Sequence, residues 1–323
     1  MKNIAVWILL ASVAVGCQQQ LVQQSFNKYD NTMVTPLGYD YPEKDSFSVL
    51  SWNVEHFVDF YDNPYINHPR EDNPASHMRT RIIPFLEAIR EADVDVVILQ
   101  EFEGAAFLRQ LAADSLSDMG YQFFADAPSQ NWYMNVVVMS RFPLGVLSSY
   151  GNVTTPVVDH LDSLGRIETQ NQLNTRMWSL DVMAGEDYVF LLTGLHLKAG
   201  RGDRNIGMRL GQIKFLKNQF SAVTSRYPDH NILVVGDFNA TPDSKELQLL
   251  LDKQNQLIDP IPASVYSHPA DEVKRRLDYI LPNANMQSEL LSAEVKYFFT
   301  PQKMRTISDH LPVMAVFKNK DVK

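Results

Sequence analysis

Cysteine is almost absent. Cys17 is the single one among 323 residues, so no intramolecular disulfide can form. Basic residues are in deficit, with Lys and Arg numbering 29 against 38 Asp and Glu, a net charge of −9. That balance argues against a protein that grips nucleic acid through a general basic surface. A local cluster of Arg and Lys, or a bound divalent metal, can still supply positive charge at one place. Internal repeats are missing, and the apolar stretch Ile4–Val15 is too short to span a bilayer on its own. What is present, 45% hydrophobic and 21% charged residues, is the composition of a globular protein. The length allows one large domain or two ordinary ones, and no second boundary shows after residue 45.

Lys2, the apolar stretch and Val13-Ala-Val-Gly16 lead into Cys17, an arrangement that resembles the lipobox of a bacterial lipoprotein. The alternative is an ordinary secretion signal with an incidental cysteine. The expectation is a signal peptide over 1–16, a lipid on Cys17, a Gln-rich tether to residue 45, a domain over 46–318 and a tail over 319–323. The protein is then exported, held on a bacterial membrane by its lipid, and monomeric.

Alternation and apolar runs predict strands at 46–52, 93–100, 121–125, 135–140, 176–182, 188–195, 231–235, 277–281, 290–297 and 311–317. Val146–Tyr150 is expected to pair with the 135–140 strand. Helical spacing places helices over 81–91, 105–116 and about 205–223, with a short one from Lys245 behind the N-cap Ser244. Residues 58–77 and 151–175 read as long irregular excursions. Many short strands with three or four helices predict an α/β fold of two packed mixed sheets with helices outside.

The stretch Val234-Val-Gly-Asp237-Phe-Asn239-Ala-Thr-Pro242 organises the chain. If extended backbone persists to Asn239, Asp237 and Asn239 point the same way from a strand end. Such a pair can hold a water and a phosphate oxygen, or it is an Asx-turn that closes the strand. Other strands also stop at polar groups: Asn53, Glu101, His196, Asp278, Asp309 and His310. Each has a plain alternative. Asn53 suits a turn, Glu101 a helix start, His196 a satisfied strand histidine, and Asp278 an ion pair with Arg275 or Arg276. Taken jointly they follow the habit of active sites assembled from strand ends.

Ser51-Trp-Asn53-Val-Glu, Leu99-Gln-Glu101, Gly194-Leu-His196, Gly236-Asp237-Phe-Asn239, Arg276-Leu-Asp278-Tyr-Ile and Ser308-Asp309-His310 together resemble the endonuclease/exonuclease/phosphatase superfamily, in its order and over about 46–317. This resemblance implies a four-layer α/β sandwich and metal-assisted hydrolysis of a phosphate ester. It implies Glu101 as principal ligand of Mg²⁺ or Mn²⁺, with Asn53 beside it and Asp309 completing or flanking the site. Asp237 would orient or deprotonate water, and Asn239 would hold a phosphate oxygen or that water. His310, positioned by Asp278, would stabilise charge or transfer a proton, with His196 a second donor.

The branch is less legible. His196 and the exported context point away from intracellular abasic-site repair. Leu197-Lys-Ala199 differs from the Gln-Ala that usually follows this histidine in bacterial sphingomyelinases, and the inositol 5-phosphatase stretch is missing. Lys198, Arg201, Arg204 and Arg209 either bind extra substrate phosphates or belong to a solvated loop leading into a helix. Trp132 and Tyr133 either contact a base or lipid, or are rim and core aromatics. DNA or RNA is the expected substrate, with a phospholipid or inositol phosphate the alternative and a catalytically silent binding lipoprotein the third reading.

Overall fold

A strand that is apolar on every residue must be covered on both faces, and only a stack of sheets inside helices offers that to so many strands. The computed structural model describes residues 38–127, 133–150, 153–170, 176–252 and 257–322. The leader, Cys17, most of the tether and Trp132 lie outside them.

The chain opens with β1 (Ser46–Phe57), α1 (Pro74–Met78), α2 (Ile82–Ala92), β2 (Val96–Phe102) and α3 (Ala105–Ser115). Next come β3 (Phe123–Asp126), β4 (Asn135–Ser140), β5 (Ser148–Ser149), β6 (Thr155–Leu161) and β7 (Ile167–Gln170). The middle holds β8 (Met177–Met183), β9 (Val189–His196), α4 (Asp203–Arg226), β10 (Asn231–Asp237) and α5 (Lys245–Leu250). The chain closes with β11 (Asp278–Pro282), α6 (Ala284–Gln287), β12 (Leu290–Val295), α7 (Pro301–Ile307) and β13 (Val313–Lys318).

One sheet has the order β12-β13-β1-β2-β4-β3, the other β11-β10-β9-β8-β5. Phe47, Val49, Val96 and Ile98 of the first meet Trp178, Phe190, Leu192, Leu233 and Val235 of the second across a dry seam. The alternate residues Leu50, Trp52, Val97 and Leu99 pack under Phe85 and Ile89 of α2, Leu108 of α3 and Met304 of α7. On the far side Ile232, Val234 and Tyr279 pack under Ile213, Leu216 and Phe220 of α4 and Leu247 of α5. Helices, sheet, sheet, helices: the expected four-layer α/β sandwich is the fold.

Several local expectations give way. Residues 148–149 pair with Ser179 and Trp178 in the second sheet, not with 135–140. The chain has already crossed the seam, because Gly145 N–H donates to the Asp181 carbonyl (2.7 Å). The excursion after residue 150 contains the β6–β7 ribbon, which lies on α4. Close approach there needs Gly211, where a Cβ would stand 1.9 Å from the Pro156 carbonyl oxygen. The short helices α1, α6 and α7 carry too few turns to show a period. Ser244 does cap α5, accepting the Leu247 N–H at 3.3 Å. Residues 39–44 lie against the domain, Tyr39 donating to the Arg141 carbonyl and Lys44 pairing with Asp95. Among the described residues no helix is long and apolar enough to cross a membrane.

Gly236 is the tightest point of the second sheet. Its φ is +142°, and a Cβ would lie 1.9 Å from the Leu195 carbonyl oxygen of the adjacent strand. Gly236→Ala must therefore part β9 from β10, at a cost of about 3 kcal/mol or more. Thermal unfolding checks this, and a Tm equal to that of the parent would refute it.

Candidate active site

Strand parity delivers the site. Leu233 and Val235 face the seam, so Asp237 follows them there; Phe190 and Leu192 do the same for His196, and Phe47 and Val49 for Asn53. Asp237 stands between His196 and Asp278 in the register of the second sheet. Asn53 joins the sheets, its Nδ2 donating to Asp237 Oδ2 at 3.0 Å and to Glu101 Oε1 at 3.3 Å.

Glu101 breaks the rule. Parity would send it into the helix layer behind Val97 and Leu99, but its φ is +57° and the ladder bulges between Gln100 and Phe102. The kink turns the carboxylate toward Asn53 and the His56 N–H, which it accepts at 3.1 Å. Glu55, His56 and Asn239 are also left-handed, a concentration of backbone strain around one site. The buried Arg81 guanidinium holds the β1 bulge by donating to the Val54, Glu55 and His56 carbonyls, and reaches Ile307 as well.

Extended backbone ends at Asp237, so Asn239 does not continue the strand. Asp237 Oδ1 instead accepts the Asn239 N–H at 2.8 Å, an Asx-turn, while Asn239 Nδ2 donates to the Leu197 carbonyl at 3.1 Å. The Asx-turn is what forms, and it brings Asn239 beside the loop after His196.

His310 closes the constellation. Its Nδ1 lies 2.9 Å from Asp278 Oδ2, and its Nε2 3.8 Å from Asp237 Oδ2 and 3.9 Å from Asp309 Oδ1. Trp52 Nε1 donates to its carbonyl, and Ser308 Oγ ties the turn to the Asn53 carbonyl at 2.6 Å. Burial alone would discharge this imidazole, but Asp278 and Asp237 push its pKa up to about 10. His196 is the opposite case: burial, then the Arg176 charge, holds it well below the ordinary value and neutral. Its Nε2 lies 3.6 Å from Asp237 Oδ2. Burial raises the carboxyls of Asp237 and Glu101, and Asp309 adds to the rise at Glu101.

The donor chemistry fits a hard cation. When ionised, Glu101, Asp237, Asp278 and Asp309 place four negative charges against His310 and Arg176, and their oxygens converge on Asn53 and His310. Carboxylate oxygens of Asp237 and Asp278, and one of Asp309 with a His268 nitrogen, lie within 4.8 Å of a His310 nitrogen, so oxygen donors gather around that charged ring.

Residues 50–310 match the Endonuclease/Exonuclease/phosphatase family. The chain belongs to this family. Its members are phosphoester hydrolases that depend on divalent metals, which agrees with the donor set. No curated protein matches the chain in sequence. Among solved structures it is similar to human Nocturnin's catalytic domain with bound sulfate (18% identity, 86% of this chain and 96% of that one, TM-score 0.54). It is also similar to humanized TDP2 from D. rerio (15%, 85% and 100%, TM-score 0.58) and to a Neisseria 3′ phosphatase bound to product DNA hairpin (15%, 84% and 99%, TM-score 0.54). At these identities the likeness is one of fold.

The cations of this family member are arranged differently from the sequence expectation. Arg204 is exposed and paired with Glu168. Arg201 is exposed, and Lys198 Nζ donates to the Ala199 carbonyl at 3.0 Å. Arg209 is buried against Glu246 and holds the Lys198 and Gly200 carbonyls, so it shapes the loop. Arg176 is the residue that sequence reasoning passed over. Its half-buried guanidinium senses Glu101 and Asp237 yet makes no hydrogen bond or ion pair among the described residues. Only its place at the start of β8 could have flagged it. Tyr133 is a core residue, its hydroxyl bridging His56 Nδ1 (2.6 Å) and His68 Nδ1 (2.9 Å).

Proposed function

We propose that this protein is an exported, divalent-metal-dependent nuclease or phosphodiesterase that cleaves by in-line attack of water, tethered to a bacterial membrane through a lipid on Cys17. The observation that carries the chemistry is the buried chain Asp278–His310–Asp237, joined through Asn53 to Glu101. A cation bound by Glu101, with Asn53 and Asp309 beside it, supplies Lewis-acid neutralisation of the phosphate's charge.

The side chains divide the rest. Asp237, raised by burial, accepts the proton of the attacking water. His310, charged across neutral pH, donates to a phosphate oxygen, and Asp278 fixes its ring and tautomer. His196 offers a neutral N–H to the same phosphate. Asn239 has one amide N–H committed to Leu197 and directs the other toward the water or phosphate. Arg176 meets a second oxygen, with Lys198 behind it and Arg201 on the outer loop. Arg204 enters only after release from Glu168. The Arg176 guanidinium, without a hydrogen bond or ion pair among the described residues and in the field of Glu101 and Asp237, supports an anionic substrate, for which nucleic acid is the reading we favour. Export and lipidation rest on the leader and the unique cysteine.

The test is Mg²⁺-dependent cleavage of plasmid DNA by residues 18–323, with His310→Ala as control. Cleavage lost in the variant and with chelator is the expected result. A folded, metal-binding protein that leaves DNA intact would overturn the nuclease reading. A phospholipid and inositol-phosphate panel then separates the lipid-directed alternative from a silent binding protein.

A further inference from the structure

His268 plays no part in the motifs of this chain, yet it touches the site. Its Nε2 lies 3.3 Å from Asp309 Oδ2, and its ring meets the His310 ring edge-on with centroids 4.7 Å apart. The backbone beneath it is fixed from several sides. His268 N–H donates to the Arg275 carbonyl at 3.0 Å, and its own carbonyl accepts the Lys274 N–H at 2.8 Å. The adjoining residues grip the opposing turn: Ser267 carbonyl accepts from Leu311 N–H, and Ala270 N–H donates to the Asp309 carbonyl, each at 2.8 Å. Ser267 Oγ donates to Asp278 Oδ2 at 2.6 Å.

Asp309 is held differently. Its N–H donates to Glu55 Oε2 at 3.1 Å and its carbonyl is taken by Ala270, so its backbone is held on both sides. Its side chain is 28% exposed and keeps its own torsions. The contact that sets them is His268, which takes Oδ2 and leaves Oδ1 on the His310 side, 3.9 Å from Nε2.

We propose that His268 is a positioning residue that locks the Asp309 carboxylate in the orientation from which it serves the divalent cation. The inference rests on the reading of Asp309 as part of the metal site. Partners that orient a metal-binding carboxylate typically govern affinity by roughly 10- to 100-fold.

Calorimetric titration with Mg²⁺ tests it on the full domain without any turnover. His268→Ala is expected to weaken Mg²⁺ about 10-fold or more. His268→Gln, whose amide N–H reaches the same oxygen, restores affinity to within about 3-fold, whereas the shorter His268→Asn does not. Asp309→Asn weakens binding alone, and adding His268→Ala to it has no further effect. Unchanged Mg²⁺ affinity in His268→Ala, with Asp309→Asn weakened, overturns the positioning role while the metal site stands. Unchanged affinity in Asp309→Asn removes the reading beneath it. Should His268→Ala fail to fold, the Gln-against-Asn contrast decides, and equal affinities refute the proposal.

Discussion

Asp237→Asn is expected to lower turnover by at least ~100-fold, and removal of a general base permits up to ~10⁴-fold. Two effects add. The variant cannot accept a proton from water. Both Asp237 oxygens also already accept N–H donors, from Asn239 at 2.8 Å and Asn53 at 3.0 Å. An amide NH₂ in either position faces a donor with a donor, so one of the two contacts, the Asn239 turn or the Asn53 link toward Glu101, must break. Steady-state kinetics on any cleaved substrate, with Mg²⁺ saturating, measures the loss. Turnover within a few-fold of the parent in a folded variant would remove Asp237 from the mechanism.

The second large effect concerns pH. Burial opposes the charge on His310, but Asp278 foremost, then Asp237, push its pKa up to about 10. If the imidazolium is the form that works, activity is present at neutral pH and lost as pH rises through about 10. Asp278→Asn removes the largest favourable cause, so the alkaline limb moves down toward the ordinary value near ~6.5. At pH 8.5 the variant should fall behind the parent by ~100-fold or more, and by less at pH 6. The sign for stability is the same. A raised folded pKa contributes stability below the unfolded value that is lost as pH rises through about 10, and the variant forfeits part of it. The acid limb belongs to Asp237, whose carboxylate form disappears as pH falls; beyond burial, Asp278 helps raise that carboxyl and the His310 charge opposes it, so the substitution acts on this limb through two opposing causes. A profile of kcat against pH decides, and an alkaline limb unmoved in Asp278→Asn would detach Asp278 from His310.

Much of this was legible because it depends on local rules. Alternating apolar residues gave strands, and the continuous apolar runs Val96–Leu99 and Ile232–Val235 pointed to strands covered on both faces, as they are. Parity carried Asn53, His196 and Asp237 to the seam. The β6–β7 ribbon was not legible, because its buried face is set by contact with α4 and by Gly211 rather than by any period of its own. Glu101 was named on its motif, but its orientation contradicts its parity and depends on a left-handed kink in β2, where its carboxylate meets Asn53 and the His56 N–H of the β1 bulge that Arg81 holds.

The cations show the same division. Lys198, Arg201 and Arg204 cluster in sequence after His196, and sequence proximity made them candidates. A guanidinium's availability depends on which carboxylate it meets, and Glu168 comes from a ribbon 36 residues away. Arg176 and His268 have no neighbouring motif, so only folding sets one beside Glu101 and Asp237 and the other against Asp309.

By itself, then, the sequence determined the layers, the strand ends and the types of group the site would contain, because periodicity and side-chain chemistry act over a few residues. Tertiary structure decided which acid is raised, which histidine is charged and which cation has no partner among the described residues, because those depend on burial and on partners brought in from as far as 184 residues away.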